Sequence, residues 1–485
     1  MTSEEKANAP AKFSELFIDG RALLTLTLIL SVGSHATNLF VTRTVLPSIV
    51  EDIGGKELMY WTLALFQITA IVGGMASAQI KSKLGGRHTI YLASVLLVIG
   101  SCFAGLASHF ELLVFGRAFQ GFAEGMLISI AYIILSERYP NNLMARMIGV
   151  LAIVWAVSAA IGPLFAGLLE ENFGWRSAFL VNLAIAALLS IQARFSVKQQ
   201  RDQKSTTRVP IARLTLFVAA VTTFCVTGQL SDPLLIALVL IVALLLLSLA
   251  IQRDRKAENR MLPKFIFTRK GSIGLGFWIN ISISLAVGGH AVYSTALLQS
   301  IWLLNPMNAG YIASVLAITW SISSWMLSGV GTLKNQLRLI RTGITFISAS
   351  FLLTAFGWAQ ADLLITSLGF ALMGLGLGTS TIFTDKKIMQ AASEAEKDRT
   401  SSMLPPIDSA AGAIGAAVAS ILALSFGLFG GTPVFGIFDV EVATTVAPQL
   451  YLCFFALSLP AMLMAYLLPL NDSVEEPAAS TQQLA

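Results

Sequence analysis

FGRAFQGFAEG, residues Phe115–Gly125, sets an arginine, a glutamine and a glutamate inside an otherwise apolar stretch. That stretch runs from about 110 to 136, long enough to cross a bilayer as a helix. A charge at the centre of a membrane helix costs roughly 2.5–3.5 kcal/mol on insertion scales. Such a residue persists where it faces a polar cavity, a charged partner or backbone carbonyls. Arg117 and Glu124 stand about two turns apart, so they share one helix face with Gln120 between them. That face is expected to border a water-filled pathway for a substrate. The alternative is a structural polar knot between packed helices.

Working outward, the whole composition is that of a membrane protein. Hydrophobic residues make up 55% of 485 and charged residues 12%, about half the charged share of a soluble domain. Apolar stretches of spanning length fall at 22–46, 59–80, 89–108, 110–136, 147–169, 176–196, 212–230, 233–251, 272–300, 308–331, 339–359, 362–384, 403–428 and 447–469. Fourteen spans return the C-terminus to the side of the N-terminus. Basic residues then choose that side. Lys6, Lys12, Arg21, Lys81, Lys83, Arg87, Arg138 and Arg146 fall there. So do the basic loops 194–213 and 252–271, Lys334, Arg338, Arg341, Lys386, Lys387, Lys397 and Arg399. Only Lys56 and Arg176 stay opposite, so the positive-inside rule puts both termini in the cytoplasm. The net charge of +5 is thus a topology signal and not a nucleic-acid patch. Cys102, Cys225 and Cys453 lie within spans and imply no disulfide framework. The first span is too long for a signal-peptide core, and the polar tail from 470 is expected to be disordered.

An internal echo divides the chain. GLASHFELLVFGRAFQGFAEG near 105–125 is answered by FGWAQADLLITSLGFALMGLGLG near 356–378, with Glu111 and Asp362 at matching places. A repeat of about 250 residues suits a transporter of two halves with its site between them. This gives a tail at 1–21, a six-helix half at 22–196, linkers at 197–271 enclosing an inserted hairpin (212–251), a second six-helix half at 272–469, and a tail at 470–485. The hairpin, joined by GQLSDP, has few polar residues and is expected to touch lipid or serve as scaffold.

Five motifs carry a resemblance. Arg117 followed by Gln120-Gly121 is similar to the R-x-x-Q-G signature of major facilitator superfamily exporters, and Gly162-Pro163-Leu164-Phe165-Ala166-Gly167 to the G-P-x-x-G signature of antiporters. Phe173-Gly174-Trp175-Arg176-Ser177-Ala178-Phe179-Leu180-Val181-Asn182 resembles the entry to the sixth helix. Lys83-Leu84-Gly85-Gly86-Arg87-His88 is a degraded D-R-x-G-R-R loop. Leu298-Gln299 with Asn308-Ala309-Gly310 resembles a join in the second half. With the inserted hairpin, the chain resembles the fourteen-helix drug:proton antiporter branch. The resemblance implies an all-α major facilitator fold, with Gly162, Pro163 and Gly167 shaping a pliable seam and Lys83, Gly86 and Arg87 forming a cytoplasmic latch. Two departures stand out. Lys83 replaces the acid of the latch loop. In the run Thr37-Asn38-Leu39-Phe40-Val41-Thr42-Arg43-Thr44-Val45-Leu46-Pro47, Asn38 replaces the first-helix acid and Arg43 an asparagine.

Proton coupling needs a group whose charge changes with access and substrate. Glu124 leads, because burial and a nearby Arg117 act on such a carboxyl in opposite senses. Asp408, after Pro405-Pro406, is second; about one turn from a span end, it would alternatively cap its helix. His35 and His290 lie in spans, where either a titrating role or a hydrogen-bonded core role is open. Asp385 with Lys386-Lys387 reads as a solvated helix end. For substrate contact the candidates are Asn38, Arg43, Arg117, Gln120, Asn280, Ser284, His290, Tyr293 and Gln299. Arg43 and Arg117 together would favour an anionic or zwitterionic substrate, unless Arg43 snorkels to headgroups or pairs with Glu51 or Asp52.

The expectation is a monomeric multi-pass protein of the bacterial inner membrane. It would export hydrophobic or amphiphilic compounds, powered by a proton gradient and needing no cofactor, metal or nucleic acid. Its partners would be a small-molecule substrate and the lipid bilayer. An organic-anion, lipid or metabolite transporter, even an importer, is the alternative; a transport-inactive scaffold or sensor is a third. The sequence holds no metal spacing, nucleophile elbow or phosphate loop, which argues against an enzyme.

Overall fold

A computed structural model describes residues 12–55, 58–199, 210–227, 230, 232–429 and 438–470. The two outer tails up to 11 and from 471, and half of the GQLSDP join (228, 229 and 231), lie outside the described residues. A short 3-10 helix, Phe13–Phe17, precedes fourteen α-helices. The first half comprises α1 (Ala22–Ile53), α2 (Met59–Leu84), α3 (Gly86–Gly105), α4 (Phe110–Arg138), α5 (Asn141–Phe173) and α6 (Ser177–Ser196). The hairpin is α7 (Ile211–Thr227) and α8 (Pro233–Arg255). The second half is α9 (Gly271–Trp302), α10 (Pro306–Leu327), α11 (Leu333–Ala359), α12 (Leu363–Ala391), α13 (Lys397–Ser425) and α14 (Val440–Leu467). Thirteen of these are long and apolar enough to cross a membrane, while α7, described over 17 residues, is shorter than the span expected of it.

Glycines set the spacing inside each half. A Cβ at Gly121 would fall 2.1 Å from the Phe66 carbonyl oxygen, and one at Gly125 1.9 Å from that of Ala70, so α4 and α2 touch backbone to backbone. The second half repeats the device: Gly374 and Gly378 of α12 press on α10 at the carbonyls of Leu316 and Trp320. The echo seen in the sequence therefore marks equivalent helices. Gly162 lies against Phe40 of α1, whereas a Cβ at Gly167 would meet nothing within 4 Å. Pro163 sits inside an unbroken α5.

The halves meet where α13 packs on α2 and α4, and where α5 packs on α10 and α12. Every side-chain hydrogen bond described between them lies in the part of the molecule nearer the termini. Lys81 of α2 bonds Asp398 of α13, Arg146 of α5 bonds the Ser328 hydroxyl after α10, and Ser321 of α10 donates to the Ala152 carbonyl of α5. Toward the other end, α5 leaves Ile161, Leu164 and Leu168 exposed. The molecule is thus closed at the termini end. Helix α7 lies against both α2 and α13, across the seam between halves. Asp254 at the end of α8 is buried and accepts from Arg213 of α7 (2.7 Å) and from the backbone N–H groups of Met261 and Leu262, fastening the hairpin to the second linker.

Candidate functional site

The polar face of α4 turns toward α1. Arg117, Gln120 and Glu124 are all fully buried. Arg117 donates to Oδ1 of Asn38 (3.0 Å), to Oε1 of Gln120 (2.7 Å) and to the Thr62 carbonyl of α2 (3.3 Å). Its guanidinium also lies over the Phe66 ring, 3.9 Å from the centroid. Several charge-assisted bonds and a desolvated cation–π contact of about 2 kcal/mol together offset the burial of one cation. Gln120 passes the chain onward by donating to the Ser101 hydroxyl of α3 at 2.8 Å.

Asn38 is the hinge of this cluster. Its Oδ1 accepts from Arg117, and its Nδ2 donates to Oε1 of Glu124 at 2.7 Å. An aspartate could do the first but not the second, because an ionised carboxyl only accepts. The asparagine that departs from the family pattern is therefore the residue type that a carboxylate at position 124 requires. His35, one turn before Asn38, places Nδ1 3.5 Å from Oε2 of Glu124, and its ring stacks on Phe66. Oε2 itself has no hydrogen-bond partner. A buried, half-satisfied carboxyl beside an imidazole and an amide can accept a proton or a donor group of a ligand.

Arg43 takes no part. It is exposed two turns beyond His35, with its guanidinium 6.0 Å from the Phe40 ring. Nor does it pair with Asp52, which binds Arg176 at 2.8 Å and accepts from the Trp175 indole at 3.0 Å. The two arginines expected to act together are not brought together.

The expected latch is also rearranged. Lys83 is exposed, and Arg87 donates to the Val197 carbonyl at 3.0 Å, tying α3 to the end of α6 within one half. Gly86 starts α3 beside the Val197 side chain. The cross-half work falls to Lys81, one helical turn earlier in α2 than the loop glycines. It bonds Glu137 of α4 and Asp398 of α13, the latter at 2.5 Å, beside a cavity of about 310 Å³. Lys83, at the place of the acid in the resembled loop, is not the residue that pairs across the halves; the acid that answers Lys81 is Asp398 in the first turn of α13, a position the helix dipole favours.

The second half carries its own polar group. Asn280 of α9 donates to Oδ1 of Asp385 at 2.8 Å. Asp385 is buried, so the expected solvated helix end is incorrect. Helix α12 runs on to Ala391 because Lys386 turns to Gln336 and Lys387 reaches the Leu470 carbonyl. Asp408 caps nothing either: α13 begins at Lys397, well before it. Ser284 lies in hydrogen-bonding range of Asp408. His290 is set apart in an aromatic core, bonded to the Tyr451 hydroxyl at 2.8 Å and packed edge-on to Phe370. Tyr293 is buried near Phe438, and Gln299 is half-buried near the end of α9.

The sequence left the role of His35 open between titration and core packing, and it did not mark Lys81, Glu137 or Asp385 as site residues. The i, i+3 spacing of His35 and Asn38 was a usable signal. The others depend on which helices meet, which no local pattern encodes.

A sequence model of the Major Facilitator Superfamily matches residues 28–384. A probable multidrug-efflux transporter of Mycobacterium tuberculosis is 25% identical over 412 residues, covering 81% of this chain and 85% of its own. The multidrug efflux pump SdrM of Staphylococcus aureus is 23% identical over 370 residues, covering 76% and 81%. Among solved structures, the human organic anion transporter TETRAN superposes with a TM-score of 0.65 at 13% identity, over 90% of this chain and 99% of that one. The proton:xylose symporter XylE gives 0.61 at 11% identity, over 92% and 96%. Two six-helix halves closed at one end, a buried arginine–glutamine–glutamate face and a family match over most of the length agree: this chain is a transporter, not an enzyme, and belongs to the Major Facilitator Superfamily.

Proposed function

We propose that this transporter exports hydrophobic or amphiphilic organic compounds in exchange for protons, by alternating access of its two halves. The observation that carries the reading is Glu124: a fully buried carboxyl with one oxygen unpartnered, joined to Arg117 through Asn38. Protonation of Glu124 would release Asn38 and, through it, Arg117, and so couple proton uptake to a rearrangement of α1 against α4. The efflux relatives support the direction of transport and the substrate class. On this reading the termini face the cytoplasm of a bacterial inner membrane, the working unit is a monomer, and the closed state is outward-facing. Asp408 is the second proton carrier.

The test is uptake into proteoliposomes of ethidium and, separately, of the organic anion fluorescein. An acid lumen should drive accumulation of the cation. Glu124→Gln should abolish gradient-driven accumulation while leaving ethidium binding intact. Accumulation indifferent to the pH gradient would end the antiport reading.

A rival reading, organic-anion transport, draws on one observation: Arg43 is exposed on α1 with no acid described against it. Arg43→Ala should then weaken fluorescein binding at least tenfold. Unchanged affinity returns Arg43 to the headgroup region.

A further inference from the structure

Asp385 and Asp408 converge on one strip of α9. Asn280 donates to Asp385 at 2.8 Å, and Ser284, one turn along, lies in hydrogen-bonding range of Asp408. Helix α9 packs against both α12 and α13, and the charge of Asp385 reaches Asp408. From the other half, Tyr132 of α4 comes within electrostatic range of both carboxyls. Two atoms there are unmatched: Oδ1 of Asn280 and Oδ1 of Asp408 are sealed from solvent with no hydrogen-bond partner. Asn280 is only 5% exposed, so its amide oxygen is an acceptor held among acids with nothing donating to it.

Several cations on neighbouring elements have partners of their own. Lys386 bonds Gln336 of α11, Lys81 of α2 bonds Glu137 and Asp398, and Arg146 of α5 bonds Ser328. Arg213 of α7 is held by Asp254, and Arg341 of α11 by the Ala465 carbonyl. His290 of α9 faces Tyr451 of α14. Among the described residues no cation acts on either carboxyl, and two carboxyls so placed in an apolar seam do not both stay ionised while water is excluded.

We propose that Asp385 and Asp408 form a second protonation site, in which the pair together holds one exchangeable proton beneath the termini-side gate. Loading forms one O–H bond and leaves one carboxylate; release breaks that bond and passes the proton to water, and it occurs when the halves part and water hydrates both carboxylates. Tyr132 belongs to the opposite half, so its place beside the pair exists only while the halves are closed at this end. The pair therefore registers the state of the gate. Its part in transport rests on the proton-coupled reading above; its existence does not.

The experiment is infrared difference spectroscopy of the purified full chain in lipid nanodiscs, stepped in pH without substrate. Asp385→Asn and Asp408→Asn should each remove the same protonated-carboxyl band, the double variant should remove no more, and Glu124→Gln should leave it. Asn280→Ser keeps both acids but drops a bond to the ionised form, and should move the band's midpoint up by about one pH unit. Separate bands lost by the two single variants, an unmoved midpoint in Asn280→Ser, or a band erased by sodium at constant pH would each overturn the proposal. Should the aspartate variants fail to fold, the Asn280→Ser midpoint decides alone. Gradient-independent transport with a shared band intact sinks the exporter reading and leaves this one standing.

Discussion

Asn38 shows how a single amide organises a charged site in an apolar bundle. Its two ends match an arginine on one side and a carboxylate on the other. Asn38→Asp keeps the first contact and sets a second carboxyl against Glu124, so it should cost about 1–3 kcal/mol, read as a lower unfolding midpoint in detergent. Combining Asn38→Asp with Glu124→Gln restores a donor facing an acceptor, and should recover most of that loss. A double variant no more stable than Asn38→Asp alone would show that the amide bridge does not hold the site. Arg117, Gln120 and Glu124 were legible from the sequence as one helix face. The role of Asn38 was not, because its meaning depends on α1 lying across α4.

At the scale of the helix, contact distance decides which glycines matter. Gly125 and Gly121 let α4 approach the carbonyls of α2, while Gly167 faces open space. Gly125→Ala should therefore destabilise by about 1–3 kcal/mol through overpacking, whereas Gly167→Ala should be neutral or slightly stabilising, since alanine favours a helix by about 1 kcal/mol. Comparing the thermal midpoints of the two variants checks this; equal effects would contradict the packing described. Fourteen helices could be read from hydropathy because lipid demands long apolar runs. Their ends could not always be read. The charges of Asp385, Lys386 and Lys387 looked like an exit to water, yet partners on α9, α11 and the residues after α14 keep that helix going.

For the whole molecule, closure at the termini end rests on a few polar bonds beside helix packing. Lys81 is held by two acids on different halves, and its pairs are partly exposed, so each is worth about 1 kcal/mol or less. Small terms still shift a balanced equilibrium. Lys81→Glu should move the population away from the state closed at this end, seen as longer distances between spin labels on the adjacent ends of α2 and α13. Asp398→Lys in the same chain should reverse part of that shift. Distances that do not move in Lys81→Glu would mean that packing alone holds the end shut. The resemblance of the 83–88 loop to the family's latch drew attention to the right place, but the charge that acts lies at Lys81, because the acid it needs stands on α13.

The seam crossed by α7 has a further meaning. A two-half carrier of this shape has a flank where α2 meets α13 and another where α5 meets α10. Here a helix leans across the first, and the Arg213–Asp254 bond keeps it moored. On the export reading, a lipid-dissolved substrate would meet this helix at the first flank and find the second flank uncovered by the hairpin.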